Sequence, residues 1–131
     1  MKTSSAKAKG RRACAEAREE ILKYFPSLHP DDIQVTSSGA NGEDLKLSPA
    51  ARVKLPVAIE VKNQESISIW EALKQADSHA QGKNDIAPML IFKRNKSELQ
   101  VAMSLDNFLW LLTRKTITYE IPHDHISEIH T

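Results

Sequence analysis

The sequence predicts one α/β domain, a mixed central sheet flanked by helices. Three observations predict it. Apolar residues recur at helical spacing near 11–25, 69–82 and 105–112. Short apolar runs stand at 57–63, 89–92 and 99–103, between or before those helices. The 131 residues show no internal repeat and no linker, which leaves room for a single core. The expected order is α-β-β-β-α-β-β-α.

Residues 1–9 are rich in Lys, Ser and Ala and are expected to form a flexible basic arm ahead of a domain at 10–112. A helix is predicted from Arg11 to Phe25, with Cys14, Ala17, Ile21 and Phe25 on one face, and Pro26 stops it. Glu16 and Glu19 then point away from that face and Glu20 lies at its edge. Arg18 falls near the apolar arc, where it needs an acidic partner or a phosphate. After the turn His29-Pro30-Asp31-Asp32, Ile33 and Val35 alternate with polar residues as a short strand. The loop "SSGANGEDLKLS" leads into a strand at Asp44–Leu47, and Ser48-Pro49 starts a helical turn through Arg52. Val57–Asn63 is the next strand. Ser68-Ile69-Trp70-Glu71 has the capping-box spacing and opens a helix with Ile69, Leu73, Ala76 and Ala80 on one face. Met89–Phe92 and Leu99–Met103 make a hairpin around "KRNKSE". Ser104 caps a last helix, whose Leu105, Phe108, Leu109 and Leu112 share a face. Residues 113–131 lose periodicity and read as a C-terminal tail.

Composition narrows function by exclusion. No apolar run approaches the ~20 residues of a membrane span, so no membrane partner is expected. A lone cysteine, Cys14, permits no internal disulfide and favours a reducing, cytoplasmic setting. Net charge is only +1, but Lys2, Lys7, Lys9, Arg11 and Arg12 precede the first acid, and Lys93, Arg94 and Lys96 form a second cluster. Beside a hydrolytic site such clusters suit phosphate contacts. No phosphate loop and no Ser/His/Asp order is visible. In the tail, His123, Asp124, His125, Glu128 and His130 are zinc-ligand types, but nothing fixes their geometry. Trp70 and Trp110 lie in amphipathic helices, so partial burial is expected rather than stacking on bases.

The strand "VAIEVKN" carries the chemistry. Side chains alternate along a strand, so Glu60 and Lys62 share a face, about 7 Å apart. A lone E-x-K often marks nothing more than an edge strand with one wet face. Here Asp44 opens its own short strand upstream. If the two strands are neighbours, Asp44 and Glu60 converge. Two close carboxylates repel unless a cation lies between them, and oxygen ligands suit Mg²⁺ or Mn²⁺. A nearby ammonium then stabilises developing charge or positions water. The set is a coherent apparatus for metal-assisted phosphodiester hydrolysis.

Asp44 with Glu60-Val61-Lys62 resembles the PD-(D/E)xK nuclease superfamily, and residues 10–112 look like small phage-encoded endonucleases and Holliday-junction resolvases. The resemblance implies a restriction-endonuclease-like fold and a DNA endonuclease acting on branched or structured DNA. It implies Mg²⁺ or Mn²⁺ held by Asp44, Glu60 and the main-chain carbonyl of Val61, with Lys62 assisting. Gln75 matches a glutamine that orders the site in several branches. Some members add an acid from the first helix; Glu20 is best placed by phase, with Glu16 and Glu19 as alternatives. Lys9, Arg11, Arg12, Arg18, Lys93 and Arg94 are the candidate DNA contacts. Glu43 stands where the motif has proline, which leaves open whether Glu43 or Asp44 points inward. Asp44 is preferred because Leu45 and Leu47 then pack on the opposite face. A resolvase needs two opposed cuts, so a homodimer is expected, joined partly through Trp110 or its neighbours on a helix whose Leu109, Trp110 and Leu112 exceed what one face needs. The competing readings are a non-cleaving nucleic-acid-binding module and a restriction-type enzyme, for which the chain has little room.

Overall fold

Two seven-residue strands, β3 (Val57–Asn63) and β4 (Ala87–Lys93), form the centre of a five-stranded sheet. In this computed structural model, which describes residues 4–36, 42–83 and 85–114, they run parallel in unbroken register from Val57↔Ala87 to Asn63↔Lys93. Parallel neighbours need a long crossover, and helix α3 (Ile69–Ala80) supplies it. The flanks are antiparallel. β2 (Leu45–Leu47) pairs with β3 through Leu45↔Ile59, and β1 (Ile33–Val35) pairs with β2. β5 (Gln100–Ala102) returns along β4. The order β1-β2-β3-β4-β5 makes the sheet mixed, as the sequence predicts.

Alternation along the strands gives the sheet two different faces. Val57, Ile59, Val61, Ala87 and Ile91 join Leu45 and Leu47 in the main apolar cluster. Helix α1 (Ser4–Tyr24) lies on that cluster through Ala13 and Ala17, with Cys14, Ile21 and Leu22 beside them. The short α2 (Pro49–Lys54) adds Ala51, and its Ser48 cap accepts from the Ala51 N–H. The other face carries Ala58, Glu60, Lys62 and Leu90, and the buried Ala72, Ala76 and Ala80 of α3 belong to the helix that crosses between β3 and β4. Alanines at the contact let the helix backbone approach the sheet closely.

Several expectations are corrected. Helix α1 begins at Ser4, so residues 4–9, read as a flexible arm, are its first turns; Ala6 and Ala8 among the lysines are strong helix formers. The Ser68 side chain makes no capping bond, so the capping box does not form. The inward face of α3 is Ala72, Ala76 and Ala80, because the sheet selects small residues over the bulkier Ile69 and Leu73. Trp70 is 82% exposed. Helix α4 (Leu105–Thr113) packs inward through Trp110 and Leu111 and leaves Leu105, Phe108, Leu109 and Leu112 exposed. Its apolar residues cover more than one side, so periodicity alone does not choose the buried one. The zinc-type run at 123–130 lies outside the described residues. Among the described residues no helix is long and apolar enough to cross a membrane.

Arg18 fastens α1 to the start of the sheet. Its Nε donates to the Ile33 carbonyl at 2.6 Å and its Nη2 to the Pro30 carbonyl at 2.7 Å. Nη1 meets Glu19 at 2.6 Å. The guanidinium is therefore committed to the fold rather than offered to DNA as expected from sequence. Arg18→Ala is expected to lower stability by roughly 2–3 kcal/mol, the scale of hydrogen bonds from a charged donor. Arg18→Lys should regain only part of this, since an ammonium lacks the planar fork. Urea unfolding followed by circular dichroism measures both.

Candidate active site

Asp44 sits at the point where pairing of β2 with β3 stops. Its N–H donates to the Ile59 carbonyl at 3.0 Å, and its own carbonyl accepts from Thr36 N–H at 3.1 Å. The carboxylate turns back on β3, and Oδ2 accepts the Val61 N–H at 2.8 Å. Leu45 and Leu47 point into the apolar cluster on the opposite side. Glu43 points elsewhere. Arg52 grips it at 2.6 and 2.8 Å and Lys83 approaches to 3.3 Å. Arg52 also donates to the Val57 carbonyl at 2.8 Å. Glu43 is thus a cross-tie between β2, α2 and the end of α3, and Asp44 is the residue that faces the Glu-x-Lys strand.

Among the described residues Glu60 is the one buried charged side chain, at 7% exposure. Burial of an unpaired carboxylate is costly, and this one is paired twice. Lys62 Nζ lies 3.2 Å from Oε2, and His79 Nε2 lies 2.8 Å from Oε1. An ionised carboxylate only accepts, so Nε2 carries the proton in that bond. Burial pushes the Asp44 carboxyl above its ordinary value, and the Glu60 charge adds to the rise. The Val61 N–H, Lys62 and His79 oppose it.

His79 is the site residue that the sequence reading missed. It lies three residues after Ala76 and next to Ala80, on the side of α3 that meets the sheet. That placement opposite a buried acid is the signal that would have found it. Gln75 is exposed one turn earlier, its carbonyl accepting from Ser78 Oγ at 2.6 Å; the α3 residue bonded to Glu60 is His79. The first-helix acids pair elsewhere. Glu20 binds Lys23 at 2.9 Å, Glu16 binds Lys93 at 3.1 Å and Glu19 binds Arg18.

The residue of α1 that senses the site is Cys14. Its thiol is pushed up to about 11, first by burial and then by the charges of Asp44 and Glu60. Only thiolate reacts quickly. Iodoacetamide at pH 8 is therefore expected to modify the native chain far more slowly than the urea-unfolded chain. Equal rates, read by mass spectrometry, would contradict the placement of Cys14.

The two basic clusters meet at the carboxyl ends of β3 and β4. Lys93 on β4 reaches Glu16 of α1, and Lys9 of α1 lies 3.7 Å from Glu65 just past β3. Glu65 also accepts the Asn95 N–H of the hairpin turn at 2.5 Å. Asn63 Nδ2 donates to the Lys9 carbonyl at 3.4 Å. Arg11, Arg12 and Arg94 are exposed around this junction. Cations from the first helix and from the end of β4, far apart in sequence, thus border one edge of the molecule, next to the end of the strand that bears Lys62.

Asp44, Glu60 and the Val61 carbonyl are hard oxygen donors of the type Mg²⁺ and Mn²⁺ take. Burial first and then the Glu60 charge raise Asp44, and a divalent cation between the two carboxylates would offset both. Among the described residues no group of three or more His, Cys, Asp or Glu side chains gathers as a metal cage. A cation here would complete its shell with main-chain oxygen, water and phosphate, as Mg²⁺ commonly does. A separate cleft of about 480 Å³, lined by Asp85, Ile86, Asp106, Asn107, Leu109, Trp110 and Thr113, shares no residue with this site. Neither a protein-family model nor a curated protein matches the chain.

Proposed function

We propose that the chain is a divalent-metal-dependent DNA endonuclease of the restriction-endonuclease-like fold. One observation carries the reading: Asp44, just ahead of β2, bonds the Val61 N–H of β3 between Glu60 and Lys62, which pair with each other. The mixed five-stranded sheet flanked by helices supports it, since the resemblance implies a mixed central sheet with helices beside it.

In this mechanism Asp44, Glu60 and the Val61 carbonyl would hold Mg²⁺ or Mn²⁺, which when bound would supply Lewis-acid stabilisation of charge on the phosphate and a more acidic water. Lys62 leaves Glu60 to meet the attacking water or a phosphate oxygen, where an ammonium stabilises negative charge as it develops. Lys9, Arg11, Arg12, Lys93 and Arg94 hold the DNA backbone at the neighbouring edge. Branched or structured DNA is the proposed substrate.

Resolving a junction requires two sites, hence a homodimer, and the outer face of α4 is the apolar surface at hand. Trp110 points inward, so Leu105, Phe108, Leu109 and Leu112 replace it in that role. Light scattering with and without junction DNA tests the dimer; a monomer in both leaves single-strand nicking as the activity.

A second reading has its own observation. Both Glu60 oxygens are already satisfied, which is how a nucleic-acid-binding module that no longer cuts would keep a buried acid. Labelled four-way junction, flap, nicked, single-stranded and duplex DNA, each with Mg²⁺, Mn²⁺ or EDTA, separates the two. Cleavage that EDTA stops supports the nuclease. Binding without cleavage of any form supports the module.

A further inference from the structure

Glu60 offers two oxygens, and each has a different nitrogen donor from a different element. Oε2 is met by Lys62 of its own strand at 3.2 Å, and Oε1 by His79 of α3 at 2.8 Å. The two donors are not equivalent. Lys62 is a flexible ammonium two residues away, free to swing along the strand without moving the backbone. His79 is a two-torsion side chain on the last turn of a helix whose Ala76 and Ala80 are buried against the sheet. The two side chains are equally enclosed, Lys62 at 18% and His79 at 17% exposure, so what separates them is the long flexible stem of the lysine against the short one of the imidazole.

We infer that His79 is a positioning residue that holds Glu60 through Oε1 and so presents Oε2, once Lys62 departs, as the oxygen that ligates the cation. The inference rests on the nuclease reading and adds to it a division of labour within one carboxylate. Without His79 the carboxylate rotates about its terminal torsion, which is broad and soft. The oxygen then has to be ordered each time a cation binds. Groups that orient a ligating carboxylate from behind typically contribute 10–100-fold in metal affinity or activity. Lys62 acts in the opposite sense while the site is empty of metal, because it competes for the same oxygen.

The test is Mn²⁺ binding to the purified chain, read by electron paramagnetic resonance of free Mn²⁺ and by calorimetry, with no DNA present. His79→Ala should weaken Mn²⁺ binding roughly 10–100-fold. His79→Gln places an amide N–H near the position of Nε2 and should restore most of the affinity. Lys62→Ala should tighten Mn²⁺ binding rather than weaken it. Circular dichroism and melting confirm that each variant is folded; if His79→Ala is not, the contrast of His79→Gln with the non-donating His79→Met carries the test. Wild-type affinity in His79→Ala, or no rescue by His79→Gln over the non-donor, overturns the inference. So does weaker binding in Lys62→Ala, which would make Lys62 the residue that orders Glu60. The DNA panel separates the two levels. Variants that behave as expected in a chain that cuts nothing retain the His79 role and remove the nuclease. A chain that cuts while His79→Ala binds Mn²⁺ normally retains the nuclease and removes the His79 role. A wild type that binds no Mn²⁺ removes both.

Discussion

Asp44→Asn is expected to abolish cleavage while making the chain more stable to heat at pH 7. The first half follows from charge. Asn keeps the shape, and its Oδ1 still accepts the Val61 N–H, but the cation loses one of two anionic ligands. Loss of a preorganised charge at a reacting phosphate should cost roughly 10³-fold. The second half follows from the raised Asp44 carboxyl, whose causes are burial and then Glu60. A carboxyl raised in the folded state prefers its proton there. The fold is penalised as pH rises from the ordinary carboxylate value to the raised one, and the penalty persists above it. Asn removes it. The gain in melting temperature should shrink as pH falls through the raised carboxyl's range into acid, where the wild-type carboxyl is neutral too. Nicking of supercoiled plasmid with Mg²⁺, beside melting scans from acid to neutral pH, checks both halves. An inactive variant that is also less stable at pH 7 would point to misfolding instead. Cleavage at the wild-type rate would remove Asp44 from the mechanism.

Lys62→Ala is expected to slow the cutting step by about 10²–10⁴-fold, the range for groups acting on charge or proton transfer at the reacting centre. DNA affinity should fall far less, because Lys9, Arg11, Arg12, Lys93 and Arg94 remain. The substitution also takes one of Glu60's two partners, so some stability is lost with it. Lys62→Gln is the useful companion, since it keeps a neutral donor for Glu60 and removes only the charge. Single-turnover cleavage of pre-bound DNA measures the chemical step apart from binding. If affinity collapses while bound DNA is cut at the normal rate, Lys62 is a phosphate contact and nothing more.

The positions of Asp44, Glu60 and Lys62 were legible from sequence because they break a local rule. Charged residues at the end of a glycine-rich loop and inside an apolar strand stand out against the alternation. Strand β3 is also bounded by residues that leave little choice, Pro56 before it and a polar run after it. His79 was not legible, because its meaning depends on Glu60 lying opposite it across a crossover. No helical period encodes that. Glu20, by contrast, was placed by phase within one helix, and an error of a fraction of a turn suffices to send it to Lys23. The inward side of α4 was hidden for a similar reason. Leucines on several sides supply hydrophobicity without direction, and only β4 decides which of them it covers.

The sheet is long in the middle and short at both margins. β3 and β4 have seven residues each, while the outermost strands β1 and β5 have three. An exposed strand recruits other chains through its row of free N–H and C=O groups, and a brief one offers few. Three-residue margins therefore leave little backbone for open-ended growth by strand addition, the route to fibrils. They also constrain how copies recognise one another. Backbone pairing, which reads almost any sequence, has little to hold. Recognition is left to side chains, which a single substitution can rewrite.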